Sequence, residues 1–68
     1  GVDGLKVGKD DNLYAACGDG VNIFSPSGTL IHRIPTNFEV TNLAFGADDN
    51  TLFLTGHQAL YKTTFKNN

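Results

Sequence analysis

The chain has 68 residues, 40% of them apolar, and its seven Asp/Glu against five Lys/Arg give a formal net charge of −2. That ordinary globular balance excludes a disordered chain and a basic nucleic-acid binder, and apolar runs of only a few residues exclude a membrane-spanning helix, which needs about 20. Cys17 is the only cysteine, which excludes an internal disulfide, and no Cys/His cluster has the spacing of a structural zinc site.

In chain order, Leu5-Lys6-Val7 alternates apolar and polar residues at period two, the pattern of a half-buried strand. Gly8 to Asn12 follows as a turn, because Asp and Asn bond their own backbone and tolerate left-handed geometry. Leu13 to Cys17 is small and apolar enough for a strand covered on both faces, with Cys17 a buried small hydrophobe within it. Gly18-Asp19-Gly20 turns the chain into a third strand, Val21 to Phe24. After the tight turn Ser25-Pro26-Ser27-Gly28, Thr29 to Ile34 forms a fourth strand, which Pro35 ends by removing a ladder donor.

Thr36 to Glu39 is a crossover, and then the unit starts again. Leu5 to Tyr14 matches Leu43 to Phe53 at an offset of 38 residues, with one inserted residue, Thr51. Val40 to Phe45 repeats the first strand, Leu52 to Thr55 the second and Ala59 to Phe65 the third, before a polar tail, Lys66-Asn67-Asn68. A repeat of this size, made of short strands and tight polar turns, marks a β-propeller blade. Residues 1–35 are expected to form one complete four-stranded blade and residues 36–68 an incomplete, three-stranded last blade. Propellers close with about four to eight blades, so the chain is expected to be the C-terminal piece of a larger propeller. The edges and apolar face left uncovered predict association with the remaining blades or self-association.

The first strand of each propeller blade lines the central channel. The repeat sets Asp3 opposite Thr41 and Gly4 opposite Asn42, at the entry of two such strands. A carboxylate there suits one ligand of a hard cation such as calcium, which takes six to eight oxygens. The same residue before a glycine equally suits a turn. Asp10-Asp11 and Asp48-Asp49 fall in repeated turns, where Asp serves backbone hydrogen bonding. His32 lies on an outer strand and His57 in a turn, neither beside a nucleophile. Gly18-Asp19-Gly20 joins antiparallel strands and precedes no helix, so it is not a phosphate loop. The scattered lysines read as solvated surface.

Val2-Asp3-Gly4-Leu5-Lys6-Val7, Asp11-Asn12-Leu13-Tyr14-Ala15-Ala16, Gly20-Val21-Asn22-Ile23-Phe24-Ser25-Pro26-Ser27-Gly28, Arg33-Ile34-Pro35, Val40 to Gly46, Thr51 to Thr55 and Leu60-Tyr61-Lys62 closely resemble the C-terminal part of gluconolactonase-like proteins. This is the family of regucalcin (senescence marker protein), gluconolactonases and luciferin-regenerating enzyme. The resemblance implies an all-β, six-bladed, calcium-dependent propeller of which this chain holds about 1.75 blades. It implies that Asp3 is a metal ligand and a catalytic carboxylate, and that Thr41 and Asn42 line the substrate pocket. Val2 stands where the family usually has Pro, and Gly8 where it often has Asp; the family's other ligands, a Glu and Asn residues from earlier blades, have no counterpart here.

The expected function is therefore calcium-dependent hydrolysis of a sugar lactone or related ester by the complete propeller, with a small-molecule substrate and neither nucleic acid nor membrane as partner. The competing expectation is a non-enzymatic propeller scaffold or binding module, since propellers host many functions, or an inactive fragment held by association with other chains. The lone thiol is compatible with a reducing, cytoplasmic compartment but establishes none.

Overall fold

Seven strands follow one another in a computed structural model of the chain, which describes residues 2–58 and 60–65. They are β1 (Gly4–Val7), β2 (Leu13–Ala16), β3 (Gly20–Phe24), β4 (Leu30–Pro35), β5 (Asn42–Phe45), β6 (Thr51–Thr55) and β7 (Leu60–Thr64). Each pairs antiparallel with its neighbour in sequence, giving a four-stranded sheet, β1-β2-β3-β4, and a three-stranded sheet, β5-β6-β7. The fold is all-β as expected, two partial propeller blades. Among the described residues no helix is long and apolar enough to cross a membrane.

The hairpin turns explain the repeat. In the first, Asp11 N–H donates to Gly8 O at 3.0 Å and Gly8 N–H to Asn12 O at 2.9 Å. Asp11 takes the left-handed conformation, φ 66°, which Asp adopts more readily than most residues. In the second, Asp49 N–H donates to Gly46 O at 3.0 Å and Gly46 N–H to Thr51 O at 2.8 Å, with Asp49 at φ 58°. The side chains repeat as well: Asp10 Oδ1 accepts from Asn12 N–H at 3.1 Å and Asp48 Oδ1 from Asn50 N–H at 3.0 Å. The extra residue of the second turn thus divides a role, Asn50 taking the amide part of Asn12 and Thr51 its carbonyl part.

After the turn the registers agree again. Gly4 lies opposite Ala16 in the first sheet, and Asn42 opposite Thr55 in the second. Tyr14, Ala16, Val21 and Ile23 point from the first sheet into Leu43, Leu52 and Leu54 of the second, with Val40 at the seam. Each fully buried aliphatic side chain contributes about 1.5–3 kcal/mol. Among the described residues there is no other layer, and this seam is their core.

Several boundaries move for local reasons. Cys17 lies beyond the end of β2 and is half-buried, not enclosed in a strand, because its N–H closes the turn on Gly20 O at 2.9 Å. Val40 and Thr41 precede β5. Val40 N–H turns away from the second sheet to donate to Gly18 O at 2.8 Å, just as Thr36 N–H donates to Asp19 O at 2.8 Å. The crossover is thereby pinned to the β2–β3 turn, where Gly18 sits at φ 56°. Pro35, opposite Gly20, is the last residue of β4. Ala59, expected to open the seventh strand, and the tail Lys66-Asn67-Asn68 lie outside the described residues, as does Gly1.

Candidate functional site

Strands β1 and β5 enter their sheets from the same end, and they pack against each other across the seam. This brings Gly4 against Asn42, with Asp3 and Thr41 as their chain neighbours. Asp3 extends the ladder by one residue, its N–H donating to Ala16 O at 3.0 Å, and its side chain is exposed. Gly4 comes next and faces Asn42. A Cβ built there would stand 3.0 Å from Asn42 Cα and 3.2 Å from its Cγ, with Oδ1 closer still. The absence of a side chain at Gly4 is what lets the two entry strands approach.

Thr41 is held by three contacts to one partner. Its N–H donates to Thr55 O at 2.7 Å, its hydroxyl donates to the same oxygen at 2.9 Å, and the hydroxyls of Thr41 and Thr55 lie 3.0 Å apart. Thr55 Oγ1 also reaches Asn42 O at 3.4 Å. Asn42 Oδ1 accepts from Leu43 N–H at 2.8 Å, which leaves the Nδ2 amide as the donating part of that side chain. Asp3, Thr41 and Asn42 thus lie at the same end of the two entry strands, a polar edge that offers a carboxylate, a fixed hydroxyl and an amide.

Two further features at this end carry no period in the sequence. Glu39 Oε2 and His57 Nε2 are 2.8 Å apart, both side chains largely in solvent. Phe38 and Tyr61 stack at 3.8 Å between ring centroids with planes 17° apart, over Gly56, whose missing Cβ would lie 3.2 Å from Phe38 Cδ2. Arg33 reaches Asp19 Oδ1 and Asn22 Oδ1, each at 2.6 Å. It crosses Gly20 to do so, where a Cβ would stand 2.7 Å from its Cζ.

A cavity of about 210 Å³ opens at the opposite end of the sheets, between Gly8, Tyr14, Phe45, Asn50 and Phe65. Asp3, Thr41 and Asn42 do not reach it. There Tyr14 OH donates to Asp10 Oδ2 at 3.1 Å. Burial first, then the hydrogen bond to Asp10 and its charge, push the phenol up to about 12.

A hard cation needs about six to eight oxygen ligands. Among the described residues no three His, Cys, Asp or Glu side chains converge to hold a metal. Asp3 supplies one carboxylate, so the residues described here do not complete a calcium site by themselves.

A sequence profile of the SMP-30/gluconolactonase/LRE-like region matches residues 1–58. Lactonohydrolase oryH of Aspergillus oryzae is 37% identical over 59 residues, covering 85% of this chain and 13% of its own length. Lactonohydrolase oryL of the same fungus is 38% identical over 55 residues, 79% of this chain and 13% of its own. A gluconolactonase of Zymomonas mobilis is 30% identical over 66 residues, 94% of this chain and 18% of its own. The chain thus spans 13% to 18% of the length of the relatives it matches.

Proposed function

The chain belongs to the SMP-30/gluconolactonase/LRE-like family, which has members named lactonohydrolase and gluconolactonase, and from that premise we propose that its polar edge serves the hydrolysis of a sugar lactone or related ester. Asp3 is the reacting carboxylate and one ligand of a calcium ion. Thr41 and Asn42 line the substrate. The observation that carries the reading is the meeting of Asp3-Gly4 with Thr41-Asn42, repeat-related pairs brought to one end with Gly4 against Asn42.

Opening a lactone requires a water to lose a proton as it attacks the carbonyl and the ring oxygen to gain one as it leaves. An exposed carboxylate at Asp3 accepts the first proton, and general-base assistance of this kind contributes about 10²–10⁴-fold. Asn42 Nδ2 donates to a ring hydroxyl or to the carbonyl oxygen as negative charge grows on it. Thr41, fixed by Thr55, presents a hydroxyl that does not have to be ordered when substrate arrives. Calcium, when bound, supplies Lewis acidity at the carbonyl. Because Asp3 alone does not complete its coordination, the remaining oxygens come from outside the residues described here.

The test replaces Asp3 by Asn and follows the opening of glucono-δ-lactone by proton release at constant pH. A loss of about 100-fold or more in kcat is expected, with weaker calcium binding in a calorimetric titration and an unchanged far-ultraviolet spectrum. Unaltered turnover and unaltered calcium affinity would remove Asp3 from the site. Asn42→Ala is expected to raise KM more than it lowers kcat.

A further inference from the structure

Because β5 and β6 are antiparallel, the crossover that feeds β5 and the turn that leaves β6 lie side by side, at the end of the sheets that carries Thr41 and Asn42. Glu39 is two residues before Thr41, and His57 is two residues after Thr55, the residue opposite Asn42. Two residues of chain span at most about 7 Å. The backbone under both side chains is fixed. Thr36 Oγ1 donates to Phe38 O at 2.6 Å, and the ring of Phe38 stacks on Tyr61. Gly56 has no side chain where a Cβ would lie 3.2 Å from Phe38 Cδ2 and 3.5 Å from Glu39 O, which lets crossover and turn touch just where Glu39 and His57 follow. The two side chains meet at 2.8 Å. An ion pair so exposed adds little to stability, but it fixes a ring: a carboxylate only accepts, so Nε2 carries the hydrogen and donates to Glu39 Oε2. Nδ1 is the other nitrogen of a side chain that is 72% exposed. Among the described residues Glu39 is the charged group within ion-pair reach of His57.

We propose that Glu39 and His57 deliver the second proton of the lactone opening. His57 is the general acid that protonates the departing ring oxygen, and Glu39 is a positioning residue that orients the imidazole. Imidazole suits the task because it exchanges protons near neutral pH. Water adds through its oxygen to the lactone carbonyl carbon as Asp3 takes a proton from it. The bond from that carbon to the ring oxygen then breaks, the electron pair stays on the oxygen, and Nδ1–H of the charged imidazole supplies the proton that makes it a hydroxyl. Asp3 returns its proton to solvent and His57 takes one back, so each turnover consumes one water and yields the open-chain hydroxy acid.

The test is made in the full-length protein with glucono-δ-lactone, by proton release at constant pH. His57→Ala is expected to lower kcat about 100-fold, with KM and the far-ultraviolet spectrum unchanged. Added imidazole, counted above its own catalysis without protein, is expected to raise the kcat of that variant about tenfold or more, because the vacated place is open to solvent. Glu39→Gln is expected to give a smaller loss in kcat, which imidazole does not restore. The proposal rests on the hydrolytic reading of the polar edge, and the two fail differently. A protein that opens no lactone, or one indifferent to Asp3→Asn, overturns that reading and this proposal with it. A lactonase that needs Asp3 overturns this proposal alone if His57→Ala keeps its kcat, changes KM instead, or loses a kcat that imidazole does not restore.

Discussion

The Tyr14 hydroxyl donates to Asp10 Oδ2 at 3.1 Å, the same oxygen that Asn12 Nδ2 reaches at 3.0 Å, so one carboxylate joins the middle of the first sheet to its feeding turn. With its pKa raised to about 12 in the folded chain, against about 10 in an unfolded one, the neutral phenol favours the fold. That contribution is complete below pH 10 and is lost as pH rises toward 12. Urea unfolding at pH 9 and pH 11 should show the decline, and Tyr14→Phe should flatten it while costing about 1 kcal/mol at neutral pH. Equal pH dependence in the two proteins would refute the assignment.

Gly4→Ala should strike the seam directly. The new methyl would lie 3.0 Å from Asn42 Cα, a backbone atom that cannot turn aside, and overpacking of this kind costs about 1–3 kcal/mol. Since Asn42 Cγ is only slightly farther, at 3.2 Å, Asn42→Gly in the same chain should recover part of the loss. A double-mutant cycle on thermal unfolding measures the coupling; strict additivity would mean that the two residues do not meet.

At Asp49 the backbone, at φ 58°, sets the requirement. Asp49→Val should cost about 1–2 kcal/mol, because a branched side chain is poorly accommodated in the left-handed region. Asp49→Gly should change stability far less. If both substitutions cost the same in chemical denaturation, the carboxylate and not the backbone conformation is what matters there.

Leu52→Ala tests the single core. Leu52 is fully buried on the second sheet, and truncations of this kind cost about 2–5 kcal/mol. In a chain this short that is most of the available stability, so loss of the cooperative transition is the expected result in a thermal scan.

The seven strands could be read from the chain because period-two alternation and Asp/Asn/Gly turns are local signals. The same signals aligned Asp3 with Thr41 and Gly4 with Asn42. Their proximity is a different kind of fact: equivalence within a repeat became contact because the entry strands of successive sheets are neighbours in space. Val40 and Cys17 are apolar enough to suit a strand, and only their backbone partners, Gly18 and Gly20, reveal them as link and turn. The Glu39–His57 pair and the Phe38–Tyr61 stack were not legible at all. Each joins the irregular crossover to the β6–β7 region, and no periodicity relates two such segments.

The crossover is fastened at both ends to the β2–β3 turn, through Thr36 N–H to Asp19 O and Val40 N–H to Gly18 O. A connection so fastened acts as a strut and not a hinge. Any tilt of one sheet against the other must stretch those two bonds before it can part Gly4 from Asn42. The seating of Gly4 against Asn42 is therefore held by the fold itself, and a substitution at Gly18, far from that contact, would be felt first as lost alignment of the two sheets.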